Sequence, residues 1–192
     1  MRTLIYTAFV SLDGVVEAPG GGPTERHRST GWTFKDIEFR PEAYEIKGRE
    51  QQEATAMLLG RTSYETFSTV WPNMAEFADY KAMPKYVVSS TLTEQNLVDD
   101  WGETTILRSL DDVATLKETA GGPIIVHGSA ALHRNLSDAG LIDRYHLLVF
   151  PVLLGAGNRM FSDTDRDKQR LTLVESESYS NGIQKLVYDV VR

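Results

Sequence analysis

The chain has 192 residues, 41% of them hydrophobic and 24% charged, with no cysteine and a net charge of −7. A chain of this length removes roughly 70% of its unfolded-state surface from water on folding, so one sizeable core needs no covalent staple. The absence of cysteine excludes a disulfide scaffold, a thiolate zinc site and a cysteine nucleophile, while the acidic balance argues against a broad nucleic-acid or anionic-membrane surface.

Residues 4–10 read as a fully buried strand. Tyr6 and Thr7 interrupt its apolar run, and Asp13 follows too soon for a signal peptide or membrane span. A soluble, cytoplasmic chain is expected, and the Asn135-Leu136-Ser137 glycosylation pattern is then chance. Ser11-Leu12-Asp13-Gly14 makes a turn-rich exit. Residues 17–35 carry Pro19, Gly20 to Gly22, Pro23 and the run Gly31-Trp32-Thr33-Phe34. A segment so long and irregular is read as a candidate lid.

Pro41 suits the first turn of a helix running to about Thr55, weakened by Gly48. Residues 56–59 are a short buried strand, and Gly60-Arg61-Thr62-Ser63 opens a helix that stacks Tyr64, Phe67 and Val70 and stops before Pro72. Residues 85–89 and 104–107 are strand candidates. Ser109 and Asp112 form a capping-box-like start for a helix through Leu116, ended by Gly121-Gly122-Pro123. Residues 124–126 are a buried strand, after which His127-Gly128-Ser129 turns into a helix carrying Leu132 and Leu136, with Gly140 as its C-terminal cap. A long strand over 143–152, the Gly155-Ala156-Gly157 loop, and strands near 171–177 and 183–190 complete the chain. Without a linker or internal repeat, residues 1–192 are expected to form one α/β domain, a mixed and mostly parallel sheet covered by helices on both faces and ending in an antiparallel hairpin.

Ligands of open α/β sheets bind at the carboxyl ends of strands, and three such ends are rich in small or polar residues. At Gly60-Arg61-Thr62-Ser63 the glycine permits close approach, the helix start offers N–H donors, and Arg61 adds fixed positive charge suited to a phosphate. The alternative is that Arg61 pairs with a nearby carboxylate. His127-Gly128-Ser129-Ala130 could meet a pyrophosphate, or be an ordinary turn with Ser129 as N-cap. Ser89-Ser90-Thr91 offers hydroxyls to ribose or phosphate oxygens. No Walker lysine motif and no G-x-S-x-G elbow is present. His27, His127, His133 and His146 lack paired-ligand spacing, so no metal site is expected. Asp163, Asp165 and Asp167 imitate a calcium loop, but Lys168 and Val174 occupy its glycine and glutamate positions.

Taken in order, Ser11-Leu12-Asp13-Gly14, Leu59-Gly60-Arg61, Val88-Ser89-Ser90-Thr91-Leu92, Val126-His127-Gly128-Ser129, Gly140-Leu141-Ile142-Asp143 and Pro151-Val152-Leu153-Leu154-Gly155 span nearly the whole chain. With them the chain resembles the dihydrofolate reductase-like superfamily, in the branch of the reductase domain of the bacterial bifunctional deaminase-reductase of riboflavin synthesis. The resemblance implies a three-layer α/β/α fold and an NADPH site. It places Gly60, Arg61, Thr62 and Ser63 at the pyrophosphate and adenosine phosphate, Ser89, Ser90 and Arg108 near the 2′-phosphate, and Gly128, Ser129 and Ala130 at the pyrophosphate. It puts the main chain around Phe9 and Val16 at the nicotinamide carboxamide, beside a mobile loop of Leu12, Asp13 and Gly14. His127-Gly128 stands where dihydrofolate reductases have a double glycine, and Leu147 where a threonine helps bind the pterin. The deaminase domain has no counterpart here.

The resemblance thus implies an NADPH-dependent reductase of a small heterocycle, of pteridine or ribosylaminopyrimidine type. The alternatives are a stand-alone 5-amino-6-(5-phosphoribosylamino)uracil reductase and a non-catalytic NADPH-binding regulatory protein. Trp32 and Phe34 are the candidates for contacting substrate, Trp32 either stacking on a planar ring or plugging the core. Asp36, Glu38, Glu42 and Tyr44, or a bound water, are candidate proton sources. A homodimer is expected from relatives with this fold.

Overall fold

Every residue of β1 (Leu4–Ser11) except Phe9 is buried, because the strand lies inside the sheet with parallel neighbours on both sides. The computed structural model describes residues 1–22, 26–161, 163 and 168–192. Pro23 of the expected lid, with Asp165 and Asp167 of the rejected calcium loop, lies outside the described residues.

The other strands are β2 (Ala56–Gly60), β3 (Lys85–Val88), β4 (Thr104–Leu107), β5 (Ile124–His127), β6 (Arg144–Phe150), β7 (Leu171–Ser178) and β8 (Gln184–Val190). They form one eight-stranded sheet in the order β4-β3-β2-β5-β1-β6-β8-β7. Neighbours from β4 through β6 are parallel; β8 joins β6, and β7 joins β8, antiparallel. The helices are α1 (Glu45–Glu53), α2 (Arg61–Val70), α3 (Ala78–Ala82), α4 (Leu110–Glu118) and α5 (Ala130–Asp138).

Strand alternation sorts the core into faces. Leu4, Tyr6 and Val10 of β1 pack with Val113 and Leu116 of α4 and Leu132 and Leu136 of α5. On the other face Ile5 joins Met57, Leu59, Tyr64 and Trp101, while Phe9 packs with Trp32, Ile46, Leu148 and Phe150. Thr7 stands between these two apolar clusters, in register with His127 of β5 and His146 of β6. The result is the expected three-layer α/β sandwich with an antiparallel C-terminal pair.

Most expected elements form, with differences at their ends. The helix from Pro41 divides into a 3-10 turn (Pro41–Tyr44) and α1. The 143–152 strand is cut to β6, since Pro151 has no N–H for the ladder. Ser109 and Asp112 do form a capping box. The helix α3 has too little apolar periodicity to be read from sequence. It is held by its partners: buried Lys85 donates to the carbonyls of Tyr80 and Lys81 and lies 4.1 Å from the Trp101 ring centroid. Among the described residues no helix is long and apolar enough to cross a membrane, and no group of three acidic or histidine side chains could hold a metal ion.

Candidate functional site

Because β2 and β5 pair directly, the turns that follow them emerge side by side. The Gly60 N–H donates to Ser129 Oγ at 2.8 Å, and the Ser129 hydroxyl donates to Ser63 Oγ at 2.7 Å. A Cβ on Gly60 would sit 2.8 Å from Ser129 Oγ, and one on Gly128 would sit 2.8 Å from Ser63 Oγ. Gly128 and Ser129 both have positive φ, +58° and +55°. That conformation is easy for glycine and strained for serine. Ser129 therefore does not cap α5 with its side chain; its hydroxyl crosses to the neighbouring turn. Two helix starts, α2 and α5, are thereby locked together, and the first-turn N–H groups of a helix have no partner within it. Thr62 is exposed on the first turn of α2, and Ala130 begins α5 half-buried.

The third strand end lies beside them. Ser89 Oγ accepts from the N–H groups of Thr91 and Leu92 at 3.2 and 3.0 Å, so this hydroxyl holds its own turn, while Ser90 and Thr91 stay exposed. Arg108 Nη1 donates to the carbonyls of Ser89 and Leu92 at 2.9 and 2.8 Å. From the other side Arg61 donates to Thr91 Oγ1 at 2.8 Å and pairs with Glu65 at 2.7 Å. Arg61 thus has the carboxylate partner that the sequence left open, and it also frames the 89–92 turn opposite Arg108. Two guanidinium groups therefore flank this strand end, that of Arg61 paired with Glu65.

The β5 ladder on β1 ends at Thr7, whereas the β6 ladder continues to Ser11. The backbone around Phe9 therefore has no strand neighbour on the β5 side. The Val16 N–H is already donated to the Asn158 carbonyl at 2.9 Å. Asp13 accepts from the Ser11 hydroxyl at 2.6 Å and from the N–H groups of Leu154 and Gly155. The Ser11 bond, aided by those amides and opposed by desolvation, holds its carboxyl down at about 2. The segment after β1 is thus stitched to residues 154–160, and Leu12 projects into solvent.

On the far side Trp32 is buried, donates Nε1–H to the Glu17 carbonyl at 2.8 Å, and meets Phe150 edge-on at 5.3 Å. It anchors the loop to the core, with its rim on a cavity of about 630 Å³ that Arg28, Lys35, Asp36, Glu38 and Leu153 also line. Phe34 is exposed and stacks at 6.4 Å on Tyr44, whose hydroxyl pKa is raised by burial. Tyr44 also contacts Phe9, ring to ring at 5.8 Å. Asp36, Glu38 and Glu42 are all exposed, and Glu38 pairs with Arg40 at 2.8 Å.

The residues that sequence reasoning missed lie beneath α1. Glu50 Oε1 accepts from the Thr7 hydroxyl at 2.8 Å and lies 3.0 Å from His146 Nδ1. Lys47 Nζ donates to Thr7 Oγ1 and stands 3.4 Å from each Glu50 oxygen. Burial works to raise the Glu50 pKa, but the Lys47 charge and the His146 bond outweigh it and hold it at about 2. Burial drives His127 down to about 3, so it stays neutral near pH 7; it is 2.8 Å from the Tyr80 hydroxyl. Leu147 packs on the opposite face of the sheet, so His146 is the β6 residue turned toward α1. The available signal was polar residues at inward positions of apolar strands: Thr7, His127 and His146.

A family model described as the RibD C-terminal domain matches residues 2–185. The Bacillus subtilis (strain 168) protein YyaP is 27% identical over 196 residues, covering 97% of this chain and 94% of the relative. Among solved structures, a Shewanella sp. PV-4 protein named for riboflavin biosynthesis superposes with a TM-score of 0.77 at 18% identity, covering 99% of both chains. A pyrimidine reductase-like protein of Corynebacterium diphtheriae gives 0.62 at 14% identity, over 99% of this chain and 92% of that one. The dihydrofolate reductase of Enterococcus faecalis, complexed with NADP(H) and RAB-propyl, gives 0.59 at 13%, over 99% and 97%. At these identities the structures establish a shared fold, the dihydrofolate reductase-like one.

Proposed function

Since the chain belongs to the RibD C-terminal domain family, we propose that it is an NADPH-dependent reductase acting on a small heterocycle of pteridine or ribosylaminopyrimidine type. The observation that carries this reading is the interlocked pair of helix starts, Gly60–Ser63 against Gly128–Ser129, flanked by two arginines at the next strand end. Helix N-termini with glycine-permitted close approach favour phosphate oxygens. Arg61 and Arg108, with Ser90 and Thr91, would hold the 2′-phosphate that distinguishes NADPH from NADH. The backbone edge around Phe9 would seat the nicotinamide. When bound, the cofactor supplies a hydride; the chain's part is to orient the acceptor and exclude water. The names of the similar proteins, a dihydrofolate reductase and a pyrimidine reductase-like protein, support the two substrate types.

Titration with NADPH and NADH tests the reading. Arg61→Ala should weaken NADPH by about 1.5–3 kcal/mol, roughly 10- to 150-fold, and leave NADH much less affected. Equal loss for both would show that Arg61 does not read the 2′-phosphate. Absence of saturable NADPH binding to the wild-type protein would overturn the assignment. NADPH oxidation with dihydrofolate, compared with 5-amino-6-(5-phosphoribosylamino)uracil, separates the substrate types.

A further inference from the structure

Hydride addition to a C=O or C=N bond leaves negative charge on the heteroatom, so a reductase of this kind needs a proton source beside the nicotinamide. Resting on the reductase reading, we propose that Lys47 delivers that proton, with Glu50 and Thr7 as the residues that position it. The exposed carboxylates at 36, 38 and 42 are not part of the row beneath α1. Tyr44 is a poorer acid than an ordinary tyrosine, because burial raises its pKa. Lys47 differs from both: its Nζ lies over β1, bonded to Thr7 and 5.1 Å from the Phe9 ring centroid, on the strand whose β5-side edge is open from Ala8 onward.

Accessibility separates the roles within the cluster. The Lys47 side chain is 17% exposed, against 1% for Glu50 and 5% for His146. Lys47 is thus the member of the cluster that keeps some side-chain surface open, while Glu50 and His146 are closed off. Burial lowers the Lys47 pKa while Glu50 opposes the shift, which makes the ammonium a stronger acid than a surface lysine. The groups facing it are Glu50 on its own helix, Thr7 on β1, His146 on β6 and His127 on β5, with Tyr80 of α3 beyond His127. With His127 neutral, Lys47 and Glu50 form a buried ion pair. Apolar residues of similar volume are often as stable in such a place, so packing alone gives no reason for the pair.

In the step, an N–H bond of Lys47 breaks and its proton forms an O–H or N–H bond on the substrate. The adjacent carbon receives the hydride, so the substrate gains two electrons and NADPH becomes NADP⁺. The neutral amine then recovers a proton from solvent, and Glu50 stays ionised throughout.

The test begins on the free protein, without cofactor. Competitive acetylation with acetic anhydride across pH, read by peptide mass spectrometry, should label Lys47 with a midpoint below 10.5, the ordinary lysine value. Fully buried Lys85 serves as the control that stays unlabelled in folded protein. Two variants follow. Lys47→Met removes the proton, and Lys47→Arg keeps the charge and the Glu50 pair but cannot release a proton. Both should bind NADPH within twofold of wild type and lose 10²- to 10⁴-fold in kcat with whichever of the two heterocycles the wild type reduces. Wild-type kcat should fall as pH rises through the labelling midpoint, and that limb should vanish in Lys47→Arg. Failure of Lys47 to label, or wild-type rates in folded Lys47→Arg, overturns the role of Lys47 and leaves the reductase reading intact. A wild-type protein that binds no NADPH, or reduces neither heterocycle, overturns the reductase reading and this assignment together.

Discussion

The turns after β2 and β5 and the row beneath α1 are both polar, both sit on central strands, and are stabilised in opposite ways. The turns are made of backbone amides and hydroxyls at an open strand end, where water serves any group the fold leaves unpaired. The row is charged and enclosed between two apolar clusters, where each charge depends on its neighbours. Removing one partner should therefore be tolerated in the first region and costly in the second.

The sharpest way to break that comparison is Glu50→Ala. It leaves the Lys47 charge largely buried without its partner and should cost about 3–5 kcal/mol, read as a lower urea midpoint at unchanged slope. A loss below about 1 kcal/mol would mean the row is wetter than its burial indicates. Acid titration probes the same region through protons. His127 is depressed to about 3 and Glu50 to about 2. Both folded values lie below the unfolded ones, so the unfolded chain takes up protons first. The stability from His127 is complete above about pH 6.5 and lost as pH falls toward 3; that from Glu50 is complete above about 4.5 and lost toward 2. His127→Gln should flatten the stability curve from about pH 6.5 down toward 3, by roughly 1–2 kcal/mol between pH 7 and 5 alone, and leave only the limb between about 4.5 and 2 that Glu50 supplies. A steep wild-type slope that persists in His127→Gln would assign it elsewhere.

Ser129→Ala is the matching change in the turns. It removes the acceptor of the Gly60 N–H and the donor to Ser63, and should cost about 1 kcal/mol, because water replaces part of what is lost. A loss as large as that of Glu50→Ala would erase the distinction between the two regions.

The two regions also differ in how far they can be read from the chain. The turns were legible because their signals are local: an apolar strand, a glycine, then a hydroxyl or arginine at a helix start. Gly60-Arg61-Thr62-Ser63 and Gly128-Ser129 announce themselves within a few residues, and the capping box at Ser109 and Asp112 does the same. What no local pattern could say is that Ser129 would leave its helix and bond across to Gly60 and Ser63. That bond exists because β2 and β5 are adjacent in space though separated by two other strands in the chain. Trp32 likewise read as either a stacking surface or a plug, and its place against Phe150 depended on a contact far along the sequence.

No local pattern in the helix weakened by Gly48 singles out Lys47 and Glu50. Their burial comes from the docking of α1 across β1, β5 and β6, which places them over Thr7, His127 and His146. By itself the amino-acid sequence determined the alternation of strands and helices and the turns at the strand ends, because periodicity, capping and glycine placement act over short distances. The tertiary structure alone decided which charges are enclosed, since burial is a property of elements brought together, and a lysine's chemistry follows from what lies around it.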